Sequence, residues 1–128
     1  MKITKLETFY VKPRWLFLKV HTDEGIVGLG EGSGWPRVIE TAVHDYRSIL
    51  LGEDPSDIDR LWHRMFVASM GHGVLGTVGG GALTAIEMAL WDIKGKECGK
   101  PVYEMLGGPT RPRVRAYANY WFMGAKTV

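Results

Sequence analysis

Three stretches of this sequence have residue types and spacings that could do chemistry. "WDIKGK" at 91–96 sets Asp92 beside two lysines, Lys94 and Lys96, spaced K-x-K. Two amines converging on one atom could move a proton, and whether they converge depends on the element that carries them. On a strand, residues i and i+2 share a face. On a helix, 100° per residue sets them about 200° apart. "GHGVLG" at 71–76 satisfies G-x-G-x-x-G and holds His72 among glycines. Arg14 and Trp15 follow a proline, and a guanidinium can grip a carboxylate or a polyol through two parallel hydrogen bonds.

The surrounding elements decide the first two cases. Leu83, Ile86, Leu90 and Ile93 recur at helical spacing and predict a helix over about 82–97, ended by Gly99 and Pro101. Lys94 and Lys96 therefore diverge near its negative pole, where cations are favoured. Asp92 has no metal partners and is left to bond a neighbouring backbone or loop group. Ala82, Ala85 and Ala89 would let another element approach this helix closely. A dinucleotide fingerprint needs a strand before its glycines and a helix opening directly behind them. Here a helix precedes, Thr77 to Gly81 delay the next one, and the expected acidic residue is replaced by Glu87 and Asp92 within a helix. Residues 69–81 are read instead as a flexible glycine-rich loop. In it, His72 either hydrogen-bonds a ligand or is solvated.

The first third reads as β-structure. Residues 2–11 are rich in β-branched and aromatic types, 15–22 alternate Leu16, Leu18 and Val20 against Phe17, Lys19 and His21, and 26–31 return after a Gly25 turn. An antiparallel meander with one buried face follows. Pro36 opens a helix carrying Val38, Ala42, Val43, Tyr46, Ile49 and Leu50, stopped by Gly52. Asp54-Pro55 is read as the start of a second, with Asp54 as N-cap and a stripe of Ile58, Leu61, Trp62, Met65 and Phe66. After a short helix over 102–106 comes a Gly/Pro-rich boundary, then an expected strand over 114–120 without a partner inside the chain. Segregated strands and helices predict an α+β fold, a three-stranded antiparallel meander followed by a helical bundle. The expected domains are 1–110 and a linker plus lone strand over 111–128.

Composition removes several classes. At 128 residues and 45% apolar, the chain suits one ordinary domain with a core. A net charge of +2 with scattered basic residues speaks against a nucleic-acid partner, which needs a concentrated basic face. Cys98 has no partner for an internal disulfide and no zinc-type spacing around it, so a reducing, cytoplasmic setting is expected. The start lacks the apolar segment and cleavage site of a signal peptide, and no stretch reaches the roughly 18–20 apolar residues of a membrane span.

Four blocks together, "TDEGIVGLGE" (22–31), "GEDPSDIDRLW" (52–62), "TAIEMALWDIKGK" (84–96) and "PVYEMLGG" (101–108), carry a resemblance over about residues 2–121. They resemble the N-terminal capping domain of the mandelate racemase/muconate lactonizing enzyme group of the enolase superfamily. Within the group, "KPRWLFLKVHTDEG" (12–25) looks most like the acid-sugar dehydratases, the galactonate dehydratases among them.

The resemblance implies a two-domain enzyme, often a homo-oligomer. In it an α+β cap covers a modified TIM-type barrel that holds Mg²⁺, and a Lys or His base removes a proton next to a carboxylate. Metal stabilisation of the enediolate makes so weak a carbon acid reactive. The metal-binding carboxylates and the bases lie on later barrel strands. A barrel takes roughly 250 residues, so only its first strand, 114–120, is expected here. This chain alone is thus expected to hold no catalytic or metal-binding residue, and its K-x-K matches the catalytic pair only in letters.

The resemblance further implies that the loops Val11–Trp15 and Phe66–Gly81 close over the barrel mouth and shape specificity. The substrate-binding candidates are Arg14, Trp15, His72, Asn119 and Trp121. Against each stands a plainer role: a solvated arginine, a core or interface tryptophan, a solvated histidine, and for Asn119 a structural amide. Glu31 is read as a turn or interface residue, and His21, His44 and His63 as structural or surface residues. The rival functional class is a freestanding α+β interaction module without catalysis.

Overall fold

The computed structural model describes residues 1–12, 14–70 and 76–117. Strands β1 (Ile3–Val11), β2 (Trp15–Thr22) and β3 (Val27–Gly32) form one antiparallel sheet in the order β1-β2-β3. The predicted alternation holds: Leu16, Leu18 and Val20 are fully buried, while Phe17, Lys19 and His21 lie on the other face. Register follows from it, with Phe9 opposite Phe17 and Glu7 opposite Lys19 on the outer face. There Glu7 bonds both Lys5 (2.8 Å) and His21 (3.0 Å), which hold its carboxyl below the usual range.

Helices α1 (Pro36–Asp45), α2 (Arg47–Leu50), α3 (Ile58–Met70), α4 (Thr77–Cys98) and α5 (Val102–Met105) follow; α1 and α4 pack on the inner face, α3 and α5 against α4, and α2 between α1 and α3. Pro36 opens α1 as expected, because its missing N–H would have no intrahelical partner. Ile39 and Val43 form the buried stripe of α1, and Val38 is half exposed rather than buried. Asp54 caps a turn, not a helix. Its Oδ1 accepts the Ser56 amide at 2.9 Å, and the first helical bond of α3 runs from the Leu61 amide to the Asp57 carbonyl. The α3 stripe is otherwise as predicted, with Ile58, Leu61 and Met65 buried and Trp62 stacked on Phe66 at 4.9 Å.

The centre of the molecule is the contact of α4 with β3. Gly28, Gly30 and Gly32 take the inward positions of β3. A Cβ at Gly28 would collide with the Ala89 carbonyl, and one at Gly30 with the Ala85 carbonyl. Alternating glycines on the strand and alanines on the helix bring the two backbones together, so β3 is the element that the small face of α4 admits. Around this seam Leu83, Ile86, Leu90 and Ile93 complete the core, each such buried side chain stabilising the fold by about 1.5–3 kcal/mol.

The expected loop over 69–81 is largely helical at both ends: α3 runs to Met70 and α4 begins at Thr77. Here the glycines serve packing. Gly79 is buried, and a Cβ at Gly81 would lie 2.8 Å from the Ile39 side chain and 3.2 Å from the Ser33 carbonyl. Gly99, at a φ of 64°, ends α4 as predicted. Residues 113–117 form no strand among the described residues, and the remainder of the strand expected over 114–120 lies outside them. No helix among the described residues is long and apolar enough to cross a membrane.

Candidate functional site

One end of the sheet gathers charged and aromatic side chains that the core does not use. The β1–β2 hairpin closes on the Val11–Trp15 pair, and its turn presents Arg14 to solvent. Trp15 is 48% exposed. At the same end, β3 finishes with Glu31 opposite Phe17 and Gly32 opposite Leu16. The chain then turns through Ser33 and Gly34, whose φ of 116° strongly favours glycine. Arg14, Trp15, Glu31, Ser33 and Gly34 line a recess of about 220 Å³. The start of α4 adjoins it, since a Cβ at Gly34 would sit 3.4 Å from the Thr77 methyl.

Two of the five candidates read from the sequence, Arg14 and Trp15, thus share a recess. The recess also contains Glu31, at a position compatible with the turn or interface role read from the sequence. Register brings them together: Trp15 begins β2 beside the end of β3, where Glu31 stands opposite Phe17, a juxtaposition visible only once β2 is paired with β3. His72, Asn119 and Trp121 lie outside the described residues. His21 bonds Glu7, and His44 Nε2 lies 3.3 Å from the Thr8 hydroxyl, which donates to Glu40 at 2.6 Å; both histidines tie structural elements together.

The chemistry of the recess is that of a polar small-molecule contact. Its guanidinium only donates, its carboxylate only accepts, and its hydroxyl does both. It does not fit a divalent cation, because one carboxylate stands beside a permanent positive charge. Among the described residues, no group of three or more His, Cys, Asp or Glu side chains could hold a metal ion.

The lysines of "WDIKGK" diverge as the helical geometry requires. Lys94 bonds Glu97 at 2.8 Å, raising its own pKa and lowering that of the carboxyl. Lys96 bonds Asp92 and the Val27 carbonyl, both at 2.7 Å. Asp92 in turn accepts the Leu29 amide at 2.8 Å. Gly95 leaves room for the returning chain, since a Cβ there would lie 2.7 Å from the Lys100 carbonyl.

On the far side of α4 lies a second recess of about 640 Å³, mainly apolar, lined by residues including Leu29, Met88, Trp91, Val102 and Leu106. Leu106 is 65% exposed.

A three-stranded meander backed by helices, with its core closed and one sheet end open, defines an α+β domain of the enolase N-terminal type. Residues 6–107 match the model for the mandelate racemase / muconate lactonizing enzyme N-terminal domain, and the chain belongs to that family. It is 48% identical over 120 residues to a D-galactonate dehydratase of Variovorax paradoxus, covering 92% of this chain and 31% of that protein. A solved structure from Mesorhizobium loti, provisionally described as a dehydratase, superimposes with a TM-score of 0.89 at 40% identity, covering 99% of this chain and 36% of the other. The 3,6-anhydro-D-galactonate cycloisomerase of Zobellia galactanivorans gives a TM-score of 0.78 at 34% identity, covering 88% and 33%. The chain therefore spans about a third of the length of the relatives it matches.

Proposed function

We propose that this chain is the specificity cap of a Mg²⁺-dependent acid-sugar dehydratase, an enzyme that removes the proton next to a carboxylate and expels the neighbouring hydroxyl. The observation that carries this reading is the 48% identity to a D-galactonate dehydratase over 120 residues, nearly the whole cap. The cycloisomerase relative marks the limit of the inference from a cap, since the same fold serves a different reaction there. The choice of reaction rests with bases and metal ligands on a barrel outside these residues. This chain's own residues bind and orient: Arg14 donates to substrate oxygens, Trp15 covers an apolar edge, and closure of this end over a barrel excludes water from the reaction.

The apolar recess bounded by β3, α4 and α5 supports the two-domain reading, because a cap separated from its barrel exposes surface of that kind. The proposed enzyme is cytoplasmic and a homo-oligomer.

The test is a panel of aldonates offered, with Mg²⁺, to the protein carrying this cap and its barrel. Dehydration of at least one, to the 2-keto-3-deoxy acid, is expected. Failure on every aldonate rejects the substrate class. The 128 residues alone are expected to turn over none.

A further inference from the structure

We propose that Asp92 and Lys96 together stand in for one residue of an added strand, and so keep the edge of β3 from pairing with a second copy of this chain. The device belongs to the cap alone and does not depend on the dehydratase reading above.

Among the described residues, β3 is an edge of the sheet, with β2 on one side and no strand on the other. On the open side, the Val27 carbonyl accepts from the Lys96 ammonium at 2.7 Å. The Leu29 amide donates to the Asp92 carboxylate at 2.8 Å. These two groups, on residues two apart, are the pair that a parallel strand engages through the amide and carbonyl of a single residue. Lys96 supplies the donor of that residue and Asp92 its acceptor. The two side chains also bond each other at 2.7 Å across one helical turn, which holds the substitute together. Close packing sets their reach, since Gly28 and Gly30 bring the β3 backbone against the Ala89 and Ala85 carbonyls of α4.

The surroundings show why this edge is guarded. Leu29 is 48% exposed, and with Asp92 it lines the mainly apolar recess of about 640 Å³ beside α5. A strand added here would gain backbone bonds and apolar cover together, the combination that makes an edge a template for association. Val27-Gly28-Leu29-Gly30 carries no charge to repel a copy of itself, and a glycine-rich strand specifies its register weakly. Every molecule presents the same edge, so a second copy is the partner excluded. To pair, it would have to displace both side chains from β3 and from each other.

The experiment compares self-association of the 128-residue chain with that of Asp92→Ala/Lys96→Ala by analytical sedimentation. Loss of both side chains is expected to tighten self-association by about tenfold or more, because two edge groups are left in need of partners. Hydrogen exchange then locates the contact: the Leu29 amide should be protected in the associated variant and exchange freely in its dilute monomer. Asp92→Asn, which keeps an oxygen acceptor for that amide, should stay near wild type. Ile86→Val weakens the core without touching the edge, and should not reproduce the double variant. If the double variant does not fold, Lys96→Met alone frees the Val27 carbonyl and should shift association in the same direction. Folded variants that associate no more tightly than wild type overturn the proposal, and so does tighter association that leaves the Leu29 amide unprotected.

Discussion

Leu29 lies on the edge strand β3, and its amide donates to the carboxylate of Asp92 rather than to a fourth strand. Lys96 takes the neighbouring Val27 carbonyl and pairs with the same carboxylate. Two side chains one turn apart on α4 thus satisfy part of a sheet edge that would otherwise offer itself for pairing. Asp92→Ala is expected to cost about 1–2 kcal/mol in denaturant unfolding, since one amide loses its acceptor and Lys96 its partner. Lys94→Ala, whose partner Glu97 is local and exposed, is expected to stay within about 0.5 kcal/mol of wild type. Equal losses from the two variants would refute this division of roles. The divergence of the two lysines was legible in the sequence because helical phase alone dictates it. The bond from Asp92 to Leu29 was not, because it joins residues 63 positions apart. The grouping of Glu31 with Arg14 and Trp15 in one recess was not legible for the same reason, since it depends on the pairing of β2 with β3.

At the scale of elements, the three meander strands were readable to within a residue or so because period-two alternation is strong in β2 and fixes the buried face. The glycines misled. Those at 79–81 read as loop, yet they belong to α4, where Gly79 is buried and Gly81 admits Ile39 and the loop at Ser33. Propensity disfavours glycine in a helix by about 1 kcal/mol per residue, and close tertiary packing overrides it here. Gly28 and Gly30 were read within a strand, as observed, but their role as its inner, close-packed face, with Gly32, was not. Gly30→Ala is therefore expected to destabilise the domain by about 3 kcal/mol or more, because the new methyl meets backbone that cannot step aside. Gly25→Ala meets nothing within 4 Å and should cost only the strain of its φ of 82°. Thermal unfolding of the two variants checks the contrast, and a Gly30→Ala protein as stable as Gly25→Ala would remove β3–α4 backbone contact from the account.

At the scale of the whole molecule, the domain closes its own core around α4, and its open surfaces among the described residues include a small charged recess at one sheet end and a larger apolar one beside α5. In the proposed function such a module sits on a larger catalytic body and contributes selectivity while the chemistry happens elsewhere. The family and the architecture were legible from four sequence blocks, since those blocks hold the strand, turn and helix signals that pack against one another. The most direct measurement of the central claim is a cap exchange: residues 1–110 of this chain replacing the corresponding cap of the D-galactonate dehydratase of Variovorax paradoxus. The account predicts a folded, Mg²⁺-dependent chimera that dehydrates D-galactonate, while the cap alone does not. A chimera that folds and assembles yet turns over neither D-galactonate nor any other aldonate would contradict it.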